Sequence, residues 1–209
     1  MKINDKSLLK KLGAGDSIEE VCSAAGLSNE QFEKWWSTQL ASRVPSSQGS
    51  RTSSANAEIL RDKWGIPHIY AERDEDLFFG YGYAMAQDRL WQLDYLRRKA
   101  MGQLSEVLGP SSLETDTISL TLGLTQLAEA EVRRMSVRTR TRLDAFSSGI
   151  NEFMIESGDL LPIEFDLLDY SPESWTSRDS VAIWAELRWY LTGRLPIIVI
   201  PELAKQTLD

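Results

Sequence analysis

The sequence predicts an α+β chain in which helix dominates and the strands are few and short. Three observations carry that expectation. Apolar residues recur at helical spacing over most of the chain. Two capping boxes, Ser17-x-x-Glu20 and Ser28-x-x-Gln31, open helices near the N-terminus. Extended patterns are confined to residues 58–61, 66–71 and 160–169.

Residues 1–41 read as a small module of three helices. Leu8, Leu9 and Leu12 mark the first; Ile18, Val21, Cys22 and Ala25 the second; Phe32, Trp35, Trp36 and Leu40 the third. Gly26 ends the second helix as a left-handed cap. Helix, glycine turn, helix is also the order of a helix-turn-helix. Its presumed recognition helix, however, carries Glu30 and Glu33 against one lysine, so a packing module is favoured over a DNA reader. Cys22 lies on the apolar face and reads as core. Residues 42–57, rich in serine and without an apolar period, read as a linker, and residues 58–209 as the main domain.

In the main domain, Gly65 supplies a turn between the first two extended runs, because it alone takes positive φ without a Cβ clash. Pro67 pushes Ile66 toward extended geometry. A long helix is expected from Asp74, read as its N-cap, with Glu75 and Asp76 in the first turn. Leu77, Phe78, Tyr81, Met85, Leu90, Trp91, Leu93 and Leu96 make it apolar around well over one face, so it is expected to lie between other layers. Gly80 and Gly82 weaken such a helix unless another backbone packs closely there. Gln87, Asp88, Arg89 and Gln92 within the apolar run call for an internal ion pair beside a solvated stripe.

Gly109-Pro110 must stop the helical programme. Residues 113–124 fit a loop or a short helix, and residues 125–135 and 138–157 two further helices. Arg133, Arg134, Arg138, Arg140 and Arg142 read as a solvated basic face. A last helix is expected from Asp179 to about Leu191 with Val181, Trp184, Leu187 and Leu191 on its packed face, followed by an apolar run over residues 197–200.

Composition excludes several classes of function. A net charge of −8 over 209 residues disfavours nucleic-acid binding. No run is long enough to span a membrane, and the N-terminus lacks the apolar core of a signal peptide; the expectation is a cytoplasmic protein. One cysteine precludes an internal disulfide, and one histidine, His68, leaves no zinc cluster and only one base for a triad. His68 follows Pro67 in an extended run and reads as structural. No glycine-rich phosphate loop appears.

The runs ILRD (59–62), GIPHIYA (65–71), DLFFGYGY (76–83), AQDRLWQ (86–92), LSEVLG (104–109), SGIN (148–151) and LPIEF (161–165), with Pro172-x-x-Trp175-x-x-x-Asp179, resemble the N-terminal part of the penicillin acylase family, in the same order. The resemblance implies an N-terminal-nucleophile hydrolase, made as one precursor and cut into a smaller α chain and a larger β chain that together form a four-layer αββα sandwich. This chain is then similar to the α chain, and the nucleophile, a serine opening the β chain, lies outside it; Met1 cannot serve. The family pattern places an arginine shortly after the position of Asp116, where this chain has Ser119, Leu120 and Thr121. The resemblance further implies an acyl pocket lined in part by Trp189, Tyr190, Leu191, Arg194 and Leu195, a calcium ion shared with the β chain through Glu202, a small-molecule amide substrate, no organic cofactor, and a possible dimer of αβ units. Penicillin, cephalosporin and acyl-homoserine-lactone acylases share these motifs, so the substrate stays open. A helix-turn-helix regulator and a helical interaction protein are the readings from other classes.

Overall fold

The computed structural model describes residues 5–44, 51–54, 56–192 and 195–208. The N-terminal module is α1 (Asp5–Gly13), α2 (Ile18–Ala25) and α3 (Asn29–Ala41). Both expected capping boxes form, with Ser17 bound to the amide of Glu20 and Ser28 to that of Gln31. Leu8, Val21, Cys22 and Phe32 make the module's core. Arg43, just beyond α3, ties the module to the main domain through the Leu161 carbonyl at 3.0 Å and Asp166 at 2.7 Å.

Three short strands follow: β1 (Arg51–Ser54), β2 (Ala57–Arg61) and β3 (Pro67–Tyr70), one antiparallel sheet in the order β1-β2-β3. β1 falls inside the stretch that reads as linker; serine and threonine offer no apolar alternation, and backbone pairing to β2 alone defines it. The β2–β3 turn is built by Asp62, whose carboxylate accepts the amides of Trp64 and Ile66 at 2.8 and 3.0 Å, and by Gly65 at φ 78°.

The main helix, α4, runs from Asp74 to Met101. Arg73, not Asp74, is its N-cap, without a side-chain capping bond. Asp74 occupies the first helical position and binds Arg142 instead, which holds its carboxyl below the usual range. After α4 come α5 (Ser105–Leu108), a 3-10 turn (Pro110–Ser112), α6 (Leu113–Leu122), α7 (Leu124–Arg134) and α8 (Val137–Ser157). Residues 113–122 are therefore helical. The basic run is more engaged than a solvated face: Arg142 lies over the Phe78 ring as well as on Asp74.

α9 (Ile163–Leu167) replaces the extended segment expected over residues 160–169. Pro162 stands just before the helix as its N-cap, and Phe165 lies in the core beside Trp175. α10 (Ser177–Thr192) and α11 (Leu195–Leu208) end the described chain.

α4 is the central element. The sheet covers its N-terminal half, where Ile59 packs on Tyr83 and Ala84. α8 lies along it, sharing the core of Ala86, Leu90, Ile150, Phe165 and Trp175. The glycines explain the closeness. A Cβ on Gly82 would stand 2.0 Å from the Phe146 carbonyl oxygen of α8, and one on Gly149 would stand 2.0 Å from the Phe79 carbonyl oxygen of α4. The two backbones touch where no side chain intervenes. Gly82→Ala or Gly149→Ala must therefore separate the helices, and each is expected to cost at least the about 1–3 kcal/mol of ordinary overpacking. Urea unfolding measures the loss; wild-type stability in both variants would show that the contact yields easily.

Candidate functional site

Trp189, Tyr190 and Leu191 of the expected pocket lie at the C-terminal end of α10, so what fixes that helix fixes them. Its start is capped by Asp179, which accepts the Thr176 amide at 2.7 Å and the Thr176 hydroxyl at 3.1 Å. Asp179 is buried and faces Arg97 of α4 at 3.6 Å. Arg97 also donates to the carbonyls of Glu173 and Ser174, at 3.1 and 3.4 Å, and lies over the Trp175 ring. Trp175 in turn exchanges two hydrogen bonds with Asn151 of α8, at 2.6 and 2.9 Å. Sequence motifs separated by dozens of residues thus converge on one joint.

The centre of that joint is Asp94, fully buried on α4. It binds Arg97, the Arg98 Nε at 3.0 Å and the Tyr170 hydroxyl at 2.9 Å. Burial pushes the Tyr170 phenol far up, and the Asp94 charge pushes it further, so the hydroxyl stays a donor. Arg98 continues to Glu106 of α5 at 3.1 Å. Asp116 of α6 caps α5 by accepting the amides of Leu104 and Ser105, and Ser119 donates to the Lys99 carbonyl at 2.7 Å. Where an arginine was expected after Asp116, a hydroxyl tying α6 to α4 stands instead. The spacing of Asp94, Arg97 and Arg98 (i, i+3, i+4) on an apolar helix was the available signal for this cluster.

Further along, Lys99 pairs with Glu186 at 2.6 Å and sits 5.8 Å from the Tyr190 ring centre. Arg188 pairs with Glu131 of α7 at 2.5 Å. Val181, Ala182, Ala185 and Glu186 form the buried face of α10. Only Val181 of the four residues expected on that face is buried. Trp184 (54% exposed), Leu187 and Leu191 (61%) point the other way. A period of i, i+3, i+7 identifies an apolar face but not what covers it.

Trp189 (44%) and Tyr190 (70%) are likewise open. Trp189, Tyr190 and Leu191 are successive residues, about 100° apart around a helix, and the Tyr190 ring has the Lys99 ammonium beside it. Arg194 lies outside the described residues, and Leu195 opens α11. Val199, Ile200 and Leu203 of α11 are also exposed. α10 and α11 thus each carry exposed aromatic or aliphatic side chains, of the kind seen where another polypeptide or a ligand binds.

Glu202 is exposed on α11, and among the described residues no cluster of three or more acidic, histidine or cysteine side chains could hold a metal. Calcium takes six to eight oxygens; one carboxylate supplies at most two. The described residues alone do not fit calcium. His68 sits on β3, 3.3 Å from Asp62, and no described serine, threonine or cysteine hydrogen-bonds to it.

A family profile described as penicillin amidase matches residues 56–206. The chain is 37% identical over 134 residues to a penicillin acylase 2 proenzyme of Pseudomonas sp. (strain SE83), covering 64% of this chain and 17% of that protein. It is 30% identical over 203 residues to the acyl-homoserine lactone acylase QuiP of Pseudomonas aeruginosa, covering 96% of this chain and 23% of the relative. The chain thus spans about one fifth of the length of the curated relatives it matches. Among solved structures it resembles the thermostable penicillin G acylase of Alcaligenes faecalis, with 28% identity, a TM-score of 0.64, and coverage of 76% of this chain and 83% of that one.

Asp94→Asn is expected to cost about 3–5 kcal/mol, because it strands two buried guanidinium groups. Tyr170→Phe removes one hydrogen bond and is expected to cost about 1 kcal/mol. Urea unfolding of both variants checks the order; equal losses would place the weight of the joint elsewhere.

Proposed function

The chain belongs to the penicillin amidase family, and from that membership we propose that it is one half of a two-chain hydrolase of linear C–N amides. The observation that carries the reading is the exposed end of α10, where Trp184, Trp189, Tyr190 and Leu191 stand open on a helix tied to its own chain through Asp179, Glu186 and Arg188. A companion β chain covers that surface, adds strands to complete the αββα sandwich, and brings the nucleophile as its first residue, a serine. That one relative is called a proenzyme supports a processed precursor.

In this reading the serine's own α-amino group, with a pKa of about 7.7–8.0, takes the hydroxyl proton. The oxygen attacks the amide carbon, and fixed donors of the companion chain stabilise the oxyanion. Collapse expels the amine, which leaves with that proton. Water then hydrolyses the ester and restores the serine. This chain contributes binding: Trp189, Tyr190 and Leu191, with Arg194 and Leu195, form the acyl-facing margin of the pocket, where an aromatic or fatty acyl group loses apolar surface to water. Glu202 would contribute to a calcium site only with ligands from the companion chain.

The relatives leave two acyl classes, penicillin side chains and N-acyl homoserine lactones. The test is to purify the chain with its companion and assay aryl-acetyl amides, fatty-acyl amides and N-acyl homoserine lactones. Trp189→Ala or Tyr190→Ala is expected to lower kcat/KM for the preferred acyl group at least tenfold, equivalent to the about 1–3 kcal/mol of a lost pocket contact. Unchanged selectivity in both variants would remove the α10 end from the acyl site, and absence of any amidase activity would overturn the reading.

A further inference from the structure

We propose that the N-terminal module is a strap on the main domain: it grips residues 159–169 from outside and so keeps Tyr170 on Asp94. The strap stands on contacts within this chain and does not depend on the two-chain reading above.

Residues 5–44 lie outside the stretch that the family profile matches, yet they are fastened to a segment inside it. Three cations of the module meet three acids of that segment. Arg43 pairs with Asp166 at 2.7 Å, Lys10 with Asp169 at 2.5 Å and Lys6 with Asp159 at 2.5 Å. The two lysine pairs are exposed and weigh little. Arg43 differs, because its side chain is only 6% exposed. Its Nε donates to the Leu161 carbonyl at 3.0 Å, and its Nη1 to the carbonyl and side-chain oxygens of Gln39 at 2.9 and 2.8 Å. One planar guanidinium thus joins the end of α3 to both Leu161 and Asp166.

The fastening is also steric. α1 ends at Gly13 directly on α9, where a Cβ would stand 1.6 Å from the Leu167 carbonyl oxygen. A backbone atom cannot swing aside as a side-chain tip can. Asp169, two residues on, has φ 53°; among the described residues it is the one non-glycine in the left-handed region. Such a conformation persists where its surroundings hold it. Lys10 holds Asp169 from the module, and the next residue, Tyr170, is anchored inside by its hydroxyl on Asp94. The Phe165 and Tyr170 rings, 5.1 Å apart, fill the inner side of the segment.

Gly13→Ala separates a strap from a module that only hangs on a linker. Alanine is the better helix former, so a free module would keep or gain stability from it, whereas a strap must lift off Leu167. The test is hydrogen exchange read by mass spectrometry on the purified protein. The amides of Phe165, Leu168 and Tyr170 are bonded to carbonyls of Pro162, Glu164 and Phe165, so their exchange reports opening of the segment. Gly13→Ala and Arg43→Gln are each expected to speed exchange across residues 165–170 about tenfold. Lys34→Gln, at an exposed position of α3, is expected to behave as wild type. Arg43→Gln gives the answer if Gly13→Ala fails to fold. Wild-type exchange over residues 165–170 in either variant that folds, or a rise confined to α1–α3, would overturn the strap and leave the two-chain reading untouched.

Discussion

The structure depends on one buried carboxylate. Asp94 has no access to solvent, and a bare charge there would be prohibitive. Arg97, Arg98 and Tyr170 surround it, and each carries the constraint onward. Arg97 fixes the loop before α10, Arg98 reaches α5, and Tyr170 fixes the segment after α9. Elements distant in sequence are thereby set at one joint, and α10 starts from it. The exposed apolar residues at the far end of α10 are placed by the bonds that tie its near end to that joint.

This gives the family motifs a physical meaning. Gly82 and Gly149 are where two helices touch backbone to backbone. Asn151 and Trp175 bond each other, and Asp179 caps α10. The Leu104 and Ser105 amides close on Asp116. Arg61 and Asp88 join the sheet to α4. Each of these residues holds the scaffold together through contacts within its own chain. They identify the family strongly while saying little about its substrate, since function resides in the site carried by a fold.

Much of the fold was legible in the sequence for the same reason. The capping boxes of α2 and α3, the turn at Gly65, the long helix from Asp74 and the need for close packing at Gly80 and Gly82 are local consequences of residue type. The failures have causes of the opposite kind. Residues 160–169 depend on Phe165 finding the core, a tertiary fact. β1 is set by its pairing partner. The packed face of α10 was misjudged because hydrophobic periodicity reports which side avoids water, and here Trp184, Leu187 and Leu191 have nothing of their own chain to cover them. The candidate site was the least legible part, for the proposed account divides it between two polypeptides and one of them is not in this sequence.

That division is the central claim, and covalent labelling addresses it most directly. The active two-chain complex is treated with a serine-reactive sulfonyl fluoride until activity is lost, and the chains are separated and weighed intact. The account predicts one added label on the companion chain, at its N-terminal serine, and an unchanged mass for this chain. A stoichiometric label on this chain that tracks the loss of activity would contradict it.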